Sequence, residues 1–274
     1  MHAVWNLAAK RARSGLPFVF AGSLIIAVLY IPVVTAYGLW AAPMFPWEAA
    51  WVVAVSAVVK ASYALFLQRA YARGDFSVVY PLARGTGPLL ATVGAIVLLG
   101  ERPGGVALLG AGFIVTGVVL ITLGRAPATQ PRDGRGRGVL YGVGTGLFIA
   151  TYTVWDAHAV AGRGIPPLLF DAGTAWLVLL LLAGPGWVRR AEVAAVWRSH
   201  RREVLAVALL SPAAYVLVLT AMTMAPVSYV APAREVSMLF GAFIGARLLR
   251  EPHAGLRLVA AAAMLIGVVV LALN

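Results

Sequence analysis

The chain has 274 residues, 61% of them hydrophobic and only 12% charged, with a net charge of +12 and no cysteine. A soluble domain carries about 25% charged residues, so a soluble globule and a disordered chain are both excluded, and the missing cysteines exclude disulfide frameworks and cysteine-ligated metal sites. The basic excess means nucleic acid in a soluble protein but cytoplasmic loops in a membrane protein, and the positions of the basic residues decide between the two.

In chain order, residues 1–10 are apolar but cover only half of the roughly 20 residues that a bilayer crossing needs. Lys10, Arg11 and Arg13 follow this stub, the reverse of a signal peptide's charge order. Complete apolar runs come next, at about 17–40, 49–69, 76–99, 105–124, 138–160, 165–184, 203–224, 226–248 and 256–273, giving nine candidate transmembrane helices. The longest polar stretches are 125–137 and 187–203. The second reads either as a solvated loop or as an interfacial helix. In the helix, Trp187 and Trp197 would anchor it, with Arg189, Arg190, Arg198, Arg201 and Arg202 toward headgroups.

A shift of 150 residues aligns the two halves of the chain. Val4-Trp5-Asn6 falls on Val154-Trp155-Asp156, Ala83-Arg84 on Ala233-Arg234, Glu101 on Glu251, and Gly117 on Gly267. Each half then holds five helices, ten in all, with the first cut short by about a dozen residues. A mis-assigned start codon explains the short first helix, and a genuine nine-and-a-half-helix protein is the alternative. The sequence thus predicts an all-α polytopic membrane protein of two inverted five-helix repeats, 1–124 and 138–274, joined by a cytoplasmic connection at 125–137.

Counting the stub as the first of ten helices, the odd-numbered connections hold 17 of the 22 basic residues and the even-numbered ones only Arg102 and Arg163. Cytoplasmic loops carry the lysine and arginine excess, so the odd connections are placed in the cytoplasm and nucleic acid drops out as a partner. Five is an odd number of crossings, so the second half enters the membrane inverted. That construction is common in secondary transporters, whose sites lie near the midplane at the repeat interface.

Six charges fall inside predicted spans: Lys60, Arg84, Arg234, Asp156, Asp171 and Glu235. A charge at the bilayer centre costs about 2.5–3.5 kcal/mol on insertion scales and is paired or functional. Arg84 and Arg234 each lie ~12 Å into their helix at 1.5 Å per residue, close to the midplane of a core ~30 Å thick. Both stand beside helix-disturbing residues, Pro81, Gly85, Gly87 and Pro88 in one case and Pro226 and Pro232 in the other. They read either as a pair facing a central pathway, binding an anionic group or a gating carboxylate, or as structural ion pairs such as Arg234 with Asp171. Lys60, near the middle of its helix, is a candidate coupling site or the partner of a neighbouring helix. Glu235 follows Arg234 directly and so is expected on another side of the helix, with a proton relay as one role open to it. Asp156 and His158 read best as a wetted helix end, and Glu101 and Glu251 as caps or interface pairs.

Tyr80, Trp5, Trp155 and Tyr229 either line the pathway through their polar edges or anchor at interfaces. The series Gly138, Gly142, Gly146 and Ala150, and the pair Gly241 and Gly245, give small-residue packing stripes. Gly142-Val143-Gly144-Thr145-Gly146 lacks the spacing of a dinucleotide loop, and no metal or hydrolase motif is present. No cofactor is expected.

Three segments now carry a resemblance. His2-Ala3-Val4-Trp5-Asn6 with Lys10 resembles the end of the first helix in one branch of the drug/metabolite transporter superfamily. The run Gly74-Asp75-Phe76-Ser77-Val78-Val79-Tyr80-Pro81-Leu82-Ala83-Arg84-Gly85 resembles that branch's fourth-helix signature, and Leu98-Leu99-Gly100-Glu101-Arg102 the superfamily's usual end of that helix. The chain as a whole resembles the EamA-type transporter family. The resemblance implies ten helices in two inverted repeats, a small-metabolite substrate, and a cavity drawing on Tyr80, Arg84 and Arg234, but it supplies no substrate. The short first helix departs from the family pattern.

The reading is a multi-pass transporter of the bacterial inner membrane that moves a small polar metabolite by alternating access. Arg84, Arg234, Tyr80 and Lys60 are its substrate-pathway residues. Glu235, Asp171 and Asp156 are candidates for proton coupling or ion pairing. An intramembrane lipid-modifying enzyme and a non-transporting membrane sensor or assembly partner are the rivals. The first lacks a defensible catalytic dyad in the sequence, and the second would show no flux over a broad substrate panel.

Overall fold

Hydrocarbon offers no partner to a backbone amide, so an apolar chain in a bilayer closes its hydrogen bonds within each segment, which a helix does. The computed structural model describes residues 15–41, 50–73, 76–123, 132–236 and 254–272, which are helical apart from short turns, with no strand among them. The helices are α1 (Leu16–Ala41), α2 (Ala50–Arg73), α3 (Phe76–Leu98), α4 (Gly105–Leu123) and α5 (Arg132–Ala157, continued by a π turn His158–Gly162). They are followed by α6 (Pro167–Val188), α7 (Arg190–Met224), α8 (Val227–Ala233, continued by a 3-10 turn Arg234–Val236) and α9 (Ala254–Ala272).

Among the described residues, Leu16–Ala41, Ala50–Arg73, Gly138–Gly162, Pro167–Val188 and Arg190–Met224 are long and apolar enough to cross a membrane, with shorter apolar helices at Leu82–Leu98 and Gly105–Gly117. Hydroxyls inside these helices are satisfied locally. Thr35, Thr92, Thr145, Thr151 and Thr220 each donate to the carbonyl one turn back at 2.7–2.9 Å.

The stretch at 187–203 takes the helical alternative. α7 runs from Arg190 and breaks at His200 (φ −131°, ψ 28°). Val193 and Val196 before the break, with Val204 and Val207 beyond it, pack on Phe18, Ala21 and Ile25 of α1. Trp187, Trp197 and the five arginines of this segment are exposed, so one face is apolar and anchored while the other carries charge, as an interfacial helix requires.

The helices cluster into two compact units. The first joins 1–72 with 155–224, and the second joins 73–154 with 225–274. In the first unit α1 packs on α6 and α7. Indole N–H groups tie its helices: Trp155 donates to the Val52 carbonyl at 2.9 Å and Trp176 to the Ala27 carbonyl at 3.0 Å. In the second unit the glycine stripe of α5 is a packing face, as expected. Gly142 lies against Leu82 and Gly146 against Thr86, and Gly87 of α3 lies in turn against Ile149. The second stripe, Gly241 and Gly245, lies outside the described residues.

Helices α4 and α9 of the second unit also approach closely. A side chain at Gly117 would meet Met264 and the Ala260 carbonyl, and one at Gly267 would meet Ile114 and the Gly110 carbonyl. These contacts are reciprocal: Gly117 and Gly267, Ile114 and Met264, and Gly110 and Ala260 each lie 150 residues apart. Each helix offers the other the same patch, as two copies do across a twofold axis. Overpacking such a contact costs about 1–3 kcal/mol. Gly117→Leu is therefore expected to lower the melting temperature in detergent. Gly112→Ala, at a position with open space around it, should leave it unchanged. Equal melting of Gly117→Leu and wild type would refute the α4–α9 contact.

Candidate functional site

The first unit contains a buried charge cluster centred on Lys60. Ser56 and Lys60 are one turn apart on α2 and share a face. Opposite them stand Asp156 at the end of α5, Asp171 and Thr174 one turn apart on α6, Tyr30 of α1 and Tyr215 of α7. The Lys60 ammonium lies 3.0 Å from Asp156 Oδ2 and 3.3 Å from Asp171 Oδ1, and donates to Thr174 Oγ1 at 3.3 Å. Asp156 also accepts from the Ser56 hydroxyl at 2.5 Å and the Tyr215 hydroxyl at 2.6 Å. Asp171 accepts from the Tyr30 hydroxyl at 2.5 Å. The ammonium also faces the rings of Tyr215 and Phe170, 4.5 and 5.2 Å from their centroids, where the ring quadrupole attracts a cation.

The second unit holds a cluster of opposite balance. Arg84 of α3 reaches Glu235 through Nη1, 3.2 Å from Oε1 and 3.4 Å from Oε2. Arg234 approaches the same Oε1 through Nε at 3.5 Å. Glu235 is 1% exposed, and both arginine side chains are buried with it. α8 carries Pro232 near its end, and the 3-10 turn that follows presents Arg234 and Glu235.

The same unit explains the segment Leu98-Leu99-Gly100-Glu101-Arg102. Gly100 takes a left-handed conformation (φ 69°) that ends α3, as glycine does after a helix. The chain turns there, and Glu101 accepts from the Val227 and Ser228 amides at 2.7 and 2.9 Å. A carboxylate at a helix start satisfies open amides and complements the dipole. Glu101 is therefore a cap, one of the roles expected for it.

Three expectations are corrected. Asp156 is not a wetted helix end, because it is fully buried and takes three donors. Asp171 pairs with Lys60 and Tyr30 rather than with Arg234. Arg234 and Glu235 are not held apart, because the long arginine stem bridges the divergence of consecutive side chains and brings Nε to its neighbour's carboxylate. Trp155 directs its indole N–H to Val52 and packs edge-on against Trp51, with ring centroids 5.6 Å apart. His158 accepts from Arg163 Nε at 3.2 Å. The Tyr80 side chain, Trp5 and Glu251 lie outside the described residues.

Sequence reasoning missed Tyr30, Ser56, Thr174 and Tyr215. Ser56 was within reach, since a hydroxyl one turn from an intramembrane lysine shares its face. Thr174, one turn from Asp171, was within reach by the same argument, whereas Tyr30 and Tyr215 lie on helices of their own and nothing local singles them out.

Apolar helices long enough to cross a bilayer, with ion clusters buried among them, define a multi-pass membrane protein. The chain belongs to the EamA-like transporter family, whose family model matches residues 136–273. No curated protein matches the chain. One solved structure, described only as "Crystal structure of protein", matches with 18% identity and a TM-score of 0.72 over 99% of this chain and 93% of that one, so the two are alike in fold.

Proposed function

We propose that the protein is a secondary transporter that moves a small polar metabolite across the bacterial inner membrane by alternating access. Its ten helices form two inverted five-helix repeats, 1–124 and 138–274. The reading rests above all on Arg84 and Arg234, which lie 150 residues apart and converge on the buried Glu235. The reciprocal α4–α9 contact, at the same offset, supports the repeat. In this scheme Glu235 is the gating carboxylate. It bridges the two arginines while the pathway is empty, and an anionic group on the substrate takes its place during the cycle. Arginine is suited to that exchange because its planar fork grips a carboxylate or phosphate through two bonds. Tyr80 and Lys60 complete the set of pathway residues.

Comparing metabolites in cells and medium between deletion and overexpression strains should identify the substrate as a polar, anion-bearing molecule. Saturable flux of that molecule into proteoliposomes should then be lost in Arg234→Ala. Wild-type flux in both Arg234→Ala and Arg84→Ala would remove the site, and no flux in wild-type protein over a broad panel would remove the transporter reading.

A further inference from the structure

We infer that the Lys60 cluster is a binding site for one exchangeable proton, carried by Asp171. The cluster has one ammonium and two carboxylates, so with both carboxylates ionised it holds one uncompensated negative charge among membrane helices. Such a charge is expensive, and one bound proton cancels it.

The two aspartates are not equivalent. Asp156 is fully buried, lies nearer to Lys60, and accepts from three donors. It is the permanent counter-ion of the lysine. Asp171 has the longer ammonium contact and one further donor, Tyr30, and its side chain keeps 11% exposure beside a lysine at 17%. It is the less enclosed of the two carboxylates. A hydroxyl both donates and accepts. When Asp171 takes a proton from water on Oδ2, the Tyr30 hydroxyl turns about its C–O bond and accepts from the new carboxylic acid instead of donating. When the proton returns to water, Tyr30 donates again and the carboxylate faces Lys60. Protonation also turns the Lys60 contact with Oδ1 from an ion pair into a hydrogen bond to a neutral acid.

The ionisable groups that face Asp171 are Tyr30 from α1, Lys60 from α2, Asp156 from α5 and Tyr215 from α7, through their shared contacts with Lys60 and Asp156. His158 is turned aside to Arg163 and Trp155. The use of this proton in coupling rests on the transporter reading, whereas the proton site rests on the cluster alone.

Infrared difference spectroscopy across a pH titration tests the site without a substrate, using the whole chain in phosphatidylcholine–phosphatidylglycerol vesicles. A titrating carboxylic-acid carbonyl band is expected in wild type. It should vanish in Asp171→Asn and shift in frequency in Tyr30→Phe, which removes the hydroxyl partner while keeping the ring. The band should not respond to sodium at fixed pH. A band unchanged in Asp171→Asn or Tyr30→Phe would overturn the assignment. So would a band that sodium displaces, since the site would then be a metal-cation site. A substrate panel without flux would leave this spectrum intact, so failure of the transporter reading is distinguishable from failure of the proton site.

Discussion

Lys60→Met should be among the most destabilising single substitutions in the first unit, by about 3–5 kcal/mol, the usual cost of removing one partner from a buried ion pair. The methionine fills a similar space between Tyr215 and Phe170, so packing changes little and the loss is electrostatic. Asp156 would keep only the hydroxyls of Ser56 and Tyr215, and Asp171 only that of Tyr30. Denaturant unfolding in detergent micelles measures the loss. Replacing both partners is much milder than stranding one, so Lys60→Met with Asp156→Asn should recover a large part of the stability. Lys60→Arg should not, because a planar fork cannot occupy the point between two carboxylates and two rings that the ammonium fills. A Lys60→Met protein that unfolds with wild type would show that the cluster does not form.

Arg84→Ala is expected to abolish transport and to destabilise the second unit by about 2–5 kcal/mol, through the space left by a long buried side chain and the lost bonds to Glu235. Glu235 would remain buried with Arg234 at 3.5 Å as its only acid–base partner among the described contacts. The two effects can be separated. Arg84→Met fills the space and leaves Glu235 paired with Arg234, so it should retain more stability than Arg84→Ala, while flux stays absent because the anion-binding fork is gone. If Arg84→Met retains both stability and wild-type flux, Arg84 has only a structural role and the pathway lies elsewhere.

The family, the membrane class and the positions of the intramembrane charges are legible in the sequence, because each depends on local properties. Runs of apolar residues fix helices that need no partner to close their hydrogen bonds. The regular spacing of Gly138, Gly142 and Gly146 places them on one face of one helix, and that face packs as expected at Gly142 and Gly146. The segment ending in Gly100-Glu101 marks a helix end, because a left-handed turn favours glycine.

Which charge meets which is not legible in the same way. The six intramembrane charges sum to zero in the sequence, but they divide into a lysine between two aspartates and a glutamate between two arginines. The distances along the chain from Lys60 to Asp156 and Asp171, and from Arg84 to Glu235, run through several helices. No helical period relates residues on different helices, and Coulomb attraction is indifferent to sequence separation. The sequence determined that these groups must be paired, because hydrocarbon makes an isolated charge costly. Only the packing of the helices decided the partners, because the choice depends on which faces meet and how far each side chain reaches.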